Sequence, residues 1–230
     1  MTFAAHKKPG RPNSAAIRAR REEQILEAAA KLFAQHGYSD TATQSLADAL
    51  AVGKGTIYRY FPSKEALFLA AVDRAMRQLH LAIDARMSGV EDPWQRMVLG
   101  VEAYLTFAAE RPEFVELLIQ ERAQFKDRKK PTYFEHRDVN VERWRGLYRS
   151  LMAAGRVREM PVERITDVIG DLLYGTMFAN YFVGRRRSPQ DQAKDIIDIA
   201  LHGILSESER RLRASTTAET GKVDHENAQG

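Results

Sequence analysis

Apolar residues recur every three or four positions along most of this 230-residue chain, and nowhere do they alternate as they would along a strand. Ile25, Leu26, Ala29, Leu32 and Phe33 make one stripe. It predicts a first long helix starting near Ala15 or Arg18 and running to His36, with Gly37 as a left-handed C-cap. Leu46, Ala47 and Leu50 give a second, short helix, for which Thr41 and Gln44 have the spacing of a capping box. Ala51-Val52-Gly53 breaks the period, and Gly53 is the residue suited to the backbone angles of a tight turn. Ile57 and Phe61 then face inward from a third short helix. Ser63 after Pro62 caps a fourth helix that continues through Leu67, Phe68, Ala71, Val72 and Met76 to about Met87. Beyond it, prolines open or separate helical stretches over 93–110, 112–125, 132–155, 161–184 and 189 to about 212. Residues 214–230 are polar and aperiodic and read as a disordered tail. The fold class is all-α.

The outward face of the third helix carries Lys54, Gly55, Thr56, Tyr58, Arg59 and Tyr60. A cation, small residues, a hydroxyl and tyrosines together suit a major groove edged by phosphates, although spacing alone would equally fit an ordinary pair of amphipathic helices. The run GKGTIYRYFPSKEAL, preceded by ILEAAAKLFAQHGYSDTATQSLADAL, resembles the DNA-binding head of the tetracycline-repressor (TetR/AcrR) family. The resemblance covers Glu22 to Asp73, with Ala51 where that family usually has glycine and Gly53 where it usually has serine.

That resemblance implies a basic flexible arm over 1–17, a helix-turn-helix DNA-binding domain over 18–66, a C-terminal helical ligand-sensing and dimerisation domain over 67–213, and the tail from 214. It implies that Gln44, Lys54, Gly55, Thr56 and Tyr58 face base edges or the groove floor. Thr43, Tyr60 and Lys64 would hold phosphates, and Arg18, Arg20 and Arg21 would supply the arm. Lys64 stands in the first turn of its helix, against the helix dipole, a placement that a nearby phosphate would repay. The expected function is that of a homodimeric repressor which binds a palindromic double-stranded DNA operator and is released by a small inducer. An activator of the same family and an architectural DNA-binding protein are the alternatives.

Charge sharpens this picture only at one end. The net charge is +4, but residues 1–21 hold Lys7, Lys8, Arg11, Arg18, Arg20 and Arg21 and no acid. Such an arm contacts phosphates or enters a minor groove, or else stays a solvated tail. With no cysteine, no His-Glu-x-x-His and no strand to carry a phosphate loop, the sequence offers no catalytic residues, no metal ligands and no cofactor site. Its apolar runs are too short to span a bilayer and its start lacks a signal peptide, so a cytoplasmic protein is expected.

The second half is dense in aromatics and methionines. Stripes of this kind are more often core, but the family resemblance implies that a subset lines an inducer pocket suited to an apolar or amphipathic ligand. The candidates are Met97, Tyr104, Phe107, Leu118, Phe125, Trp144, Tyr148, Tyr174, Met177 and Phe178, with Gln120, Glu121, His136, Arg137 and Asn140 as polar contacts. Two further apolar faces close the chain: Ile165, Val168, Ile169, Leu172 and Leu173 with Gly170 and Gly175, then Ile196, Ile197, Ile199, Ala200, Gly203 and Ile204. Paired with their symmetry mates they would make a four-helix dimer contact; otherwise they close the monomer core.

Overall fold

The computed structural model describes residues 14–184, 187–203 and 207. Lys7, Lys8 and Arg11 of the expected arm, Arg185, Arg186, Ile204 and the expected tail lie outside the described residues, as does most of the last helix's expected continuation past His202. The described elements are all helices: α1 (Ser14–Asp40), α2 (Thr43–Ala49), α3 (Lys54–Tyr60), α4 (Lys64–Met87), α5 (Pro93–Glu110), α6 (Pro112–Gln124), α7 (Thr132–Ala153), α8 (Val162–Val183) and α9 (Pro189–His202). The proline-led starts fall where the sequence places them, but the last helix, expected to run on to about 212, stops at His202, where Gly203 leaves the helical region at φ 75, ψ −179. Proline occupies the first turns of α5, α6 and α9, and Asp92, Ser188 and Ser63 cap α5, α9 and α4 through their side chains. No helix among the described residues is long and apolar enough to cross a membrane.

Three local expectations for the N-terminal region are corrected. α1 is already helical at Ser14, inside the stretch expected to be a flexible arm. Gly37 does break α1, but at φ 82, ψ 158, an extended glycine conformation rather than the left-handed helical cap. The capping box is absent. Thr41 is buried under the end of α1, where its hydroxyl lies 2.7 Å from Gly37 O and 3.2 Å from Leu32 O. Its hydroxyl donates to the end of α1, and because α2 begins at Thr43 with Ala42 in the capping position, Thr41 stands one residue too early to cap it. α2 starts uncapped at Ala42, and Gln44 donates instead to Asp48 at 2.7 Å.

The turn between α2 and α3 is a Schellman motif. Val52 N donates to Ala47 O at 2.9 Å and Ala51 N to Asp48 O at 3.0 Å. This motif puts its left-handed residue at Ala51 (φ 49), whereas Gly53 sits at φ −71, ψ 144, which any residue adopts. The expected assignment of the special angles to Gly53 is thus wrong by two positions. An alanine in the left-handed region is strained by about 1–2 kcal/mol. Ala51→Gly is accordingly expected to stabilise the protein by about 0.5–1 kcal/mol, net of the greater freedom glycine has when unfolded. A rise in the urea midpoint at constant slope would register it, and an unchanged or lower midpoint would contradict it.

The first three helices share a core of Ile25, Leu26, Ala29, Phe33, Leu46, Ala47, Ile57 and Phe61, which Leu67, Phe68, Ala71 and Val72 of α4 complete. Phe68, fully buried, meets Phe33 edge-on with ring centres 5.1 Å apart, Tyr38 at 5.1 Å and Phe125, at the end of α6, at 5.6 Å. A polar chain runs beside this cluster. Gln120 Nε2 donates to Phe33 O and to Glu116, each at 2.8 Å, and the Tyr181 hydroxyl of α8 donates to Glu116 at 2.6 Å. α6 is thereby tied to the end of α1 on one side and to α8 on the other. α5 lies at the centre of the C-terminal helices, against α4, α7, α8 and α9.

Candidate nucleic-acid interface and ligand cavity

The helix-turn-helix presents one continuous polar face. Gln44, Lys54, Gly55, Tyr58 and Arg59 are exposed around the turn, with Thr56 and Tyr60 half-buried beside them. Ile57 and Phe61 anchor the other side of α3 in the core. The face is organised around two tyrosines. Tyr58, 40% exposed, carries Lys54 Nζ 5.8 Å from its ring centre and lies with its hydroxyl 3.4 Å from Thr43 Oγ1, which is itself buried. Tyr60 lies under two guanidinium groups, Arg18 from α1 at 5.7 Å and Arg59 at 5.8 Å. Arg20 and Arg21 are exposed on the same helix as Arg18. The result is a ridge of cations held upright on aromatic rings, a surface suited to a polyanion.

Lys64 has an occupation of its own. Its ammonium donates to Ser39 O at 2.9 Å and stands 4.8 Å from the centre of the Tyr38 ring, so it bridges the start of α4 to the end of α1. The Ser63 hydroxyl beside it accepts from Ala66 N at 3.0 Å.

A cavity of about 110 Å³ opens between α4, α5, α7 and α8. Of the ten aromatic, leucine and methionine candidates, Tyr104, Trp144 and Tyr148 line it; Arg137 and Asn140 do so among the polar ones. The remaining candidates face elsewhere. Phe125 belongs to the seam with Phe68 and Tyr38, and Phe107 packs on Phe114 with Arg111 over its ring. Tyr174 and Phe178 meet edge-on outside the cavity, while Met97 and Leu118 are buried in the core away from it. Met177 approaches only the back of the wall, its sulfur 3.5 Å from the Tyr104 hydroxyl. Gln120 belongs to the polar chain, Glu121 binds the start of α7, and His136 accepts or donates to Asp73 at 2.7 Å.

Sequence reading missed the α4 side of the cavity: Met76, Leu79, His80 and Ile83. In the sequence these look like an ordinary core stripe continuing that of Leu67, Phe68, Ala71 and Val72. Two glycines also escaped notice or were misassigned. A Cβ on Gly100 would stand 2.4 Å from Trp144 Cη2, so this notch in α5 admits the indole. Gly170, expected to let a symmetry mate approach, instead faces Arg137 of the same chain, whose Cζ would lie 3.4 Å from an added Cβ.

The cavity's polar groups are mostly paired with one another. The Tyr104 and Tyr133 hydroxyls are 3.0 Å apart, and burial pushes Tyr133 up to about 12. His80 stacks on His136 with ring centres 5.5 Å apart, and its Nε2 faces Asn140 Nδ2 at 3.2 Å. Burial, with help from His136, lowers the His80 pKa to about 4, so the ring is neutral near pH 7. Arg137 is held at 2.9 Å by Asp167 and at 3.1 Å by Asp171, both well exposed. No cluster of three or more potential metal ligands occurs among the described residues.

Residues 25–71 match the family described as bacterial regulatory proteins, tetR family. The chain is 49% identical over 53 residues to the uncharacterized HTH-type transcriptional regulator YuxN of Bacillus subtilis, a match covering 23% of this chain and 18% of that one. It spans less than half the length of the first curated relatives it matches. A longer match is to the HTH-type transcriptional repressor KstR of Mycobacterium tuberculosis, 27% identical over 192 residues and 82% of each chain. Among solved structures, the TetR family transcriptional regulator PfmR of Thermus thermophilus superposes with a TM-score of 0.64 at 27% identity, over 80% of this chain and all of that one.

Proposed function

The chain belongs to the TetR family of transcriptional regulators, and on that premise we propose that it is a ligand-responsive repressor. In this reading it grips a palindromic operator as a homodimer and lets go when an apolar or amphipathic inducer fills the body cavity. The observation that carries the proposal is the course of α4. Its first turns complete the core beneath α3, and its later turns supply Met76, Leu79, His80 and Ile83 to the cavity. A ligand that favours a different tilt of this one helix therefore changes the placement of the DNA-contacting face, by no more than its differential affinity for the two states.

Residues 18–66 act as the reading head and 67–213 as the sensing and dimerisation body, with α4 common to both. Gln44, Lys54, Gly55, Thr56 and Tyr58 meet base edges, Thr43, Tyr60 and Lys64 hold phosphates, and Arg18, Arg20 and Arg21 reach along the backbone. Dimerisation is supported by Val168, Leu172, Phe182 and Val183, which share a stripe of α8 and are 40–74% exposed, and by Ile199 of α9 at 53%. Ile165 and Ile197, expected on the same faces, are instead buried within the chain. Two heads related by a twofold would read successive major grooves about 34–36 Å apart. Repression rather than activation is favoured by the match to KstR, which extends over most of both chains.

Selection of bound genomic fragments by the purified protein, at a stated near-physiological salt concentration, tests the proposal. A single enriched palindrome is expected; broad enrichment without a motif would favour the architectural alternative. Lys64→Ala is expected to weaken binding to all sequences alike and to flatten the slope of log affinity against log salt by about one unit. A lowered melting temperature with an unchanged slope would assign Lys64 to the Ser39 carbonyl alone.

A further inference from the structure

We infer that the body cavity takes an uncharged ligand, an apolar framework bearing a ketone or hydroxyl oxygen, and that the Tyr148 hydroxyl is the group that bonds this oxygen. The inference rests on the reading of the cavity as the effector site.

Tyr148 is only 2% exposed as a residue, and its hydroxyl, which makes no hydrogen bond to the described residues, is not a sealed atom but opens to the cavity that the tyrosine lines. Consistent with this, its pKa is raised by burial and by no neighbouring group. A hydroxyl that its own fold leaves unpaired at the wall of an apolar cavity is one of the few polar groups there that can orient a partner from outside. The wall's other hydroxyl, amide and imidazole groups are already engaged, and the Trp144 indole N–H, a donor only, is of the same uncharged kind. Tyr104 and Tyr133 bond each other, His80 Nε2 faces Asn140, and the Thr166 hydroxyl lies 3.0 Å from Glu163 O on its own helix.

The charge pattern removes the ionic alternatives. An anionic ligand would meet Arg137, but that guanidinium is already matched by two carboxylates, Asp167 and Asp171. A cationic ligand would find a neutral imidazole at His80 and no carboxylate among the cavity-lining residues. Either ion would lose its water without gaining a free counter-charge, which costs far more than desolvating a neutral oxygen. A tyrosine hydroxyl donates to a ketone and both donates to and accepts from an alcohol.

The protein holds two tryptophans, and one of them, Trp144, lines the cavity. In a Trp94→Phe background it becomes the sole reporter. Titration of that variant with 2-octanone, 1-octanol, octanoate and octylammonium, followed by Trp144 fluorescence, is expected to rank the two neutral probes about tenfold or more above the two ions. Adding Tyr148→Phe should lower 2-octanone affinity by about threefold to tenfold. It should leave the melting temperature of the free protein nearly unchanged, because the hydroxyl has no protein partner to lose; a structural role for that hydroxyl would instead lower the melting temperature along with the affinity. Tightest binding of an ion, or equal 2-octanone affinity with and without the hydroxyl, overturns the inference and leaves the effector site standing. Silence from all four probes overturns both.

Discussion

Replacing Glu121 with alanine is expected to cost the protein about 3–5 kcal/mol, the penalty for stripping one partner from a buried ion pair. The carboxylate is 2% exposed and sits in the last turn of α6, where the helix dipole disfavours it. What holds it there is the next helix. It accepts from Thr132 N at 3.0 Å, from Thr132 Oγ1 at 2.7 Å and from Arg128 at 3.0 Å. The residue preceding α7 is Pro131, which has no side-chain cap to offer. Glu121 therefore caps α7 from a neighbouring helix, and the dipole that opposes it in α6 is offset by the one that favours it in α7. In a chain of this size each kcal/mol moves the melting temperature by about 2–4 °C, so a fall of about 6–20 °C is expected. Glu121→Gln, which keeps the shape and one acceptor, should lose clearly less. A shift under about 2 °C for the alanine variant, less than a single kcal/mol, would show that Arg128 and Thr132 find other partners.

Tyr58→Ala should lower operator affinity by about tenfold to a hundredfold while leaving non-specific binding nearly unchanged, since a base-edge contact is worth about 1–3 kcal/mol. The separation is testable because Tyr58 is exposed and contributes little to packing, whereas Ile57 beside it is 1% exposed and holds α3 in place. The substitution also releases Lys54 from above the ring and Thr43 from its hydroxyl contact. Paired titrations on the operator and on unrelated DNA at one salt concentration read the result directly. Equal losses on both would make Tyr58 a support for Lys54 rather than a reader of bases.

What the sequence made legible was whatever depends on local chemistry. Proline at helix starts, Ser63 as a cap, and the period of Ile57 and Phe61 gave most helix starts and the inward face of α3. The errors have two causes: local geometry that falls one or two residues from where the pattern suggests, and side chains whose partners lie far along the chain. Thr41 has the right neighbour for a capping box, yet its hydroxyl closes α1. Gly53 is the obvious residue for unusual angles, yet the Schellman geometry falls on Ala51 because α2 ends where its carbonyls are satisfied. The cavity was half legible for the second reason. Trp144 and Tyr148 are visible as aromatics on α7, but nothing local tells that Gly100 on α5 makes room for one of them. Glu121 and Gln120 looked like ligand contacts because polar residues in an apolar stretch need partners. Their partners proved to be Thr132 and the Phe33 carbonyl.

The length of α4 has a mechanical consequence. Its far end is fixed to α7: Arg143 pairs with Asp84 and reaches the Met87 sulfur at 3.6 Å. Measured from Met87, Leu79 in the cavity wall lies about 12 Å along the axis and Lys64 about 34 Å. Under the proposed ligand response, and with Met87 as the fulcrum, the helix would be a lever with roughly threefold gain, so that a displacement of about 1 Å at the cavity would move its first turn by about 3 Å. The bond from Gln120 to Phe33 O would then resist that movement, because it ties α1, packed on α4, to α6. On this geometry a small guest would deliver a large movement, and the seam between α1 and α6 would oppose it.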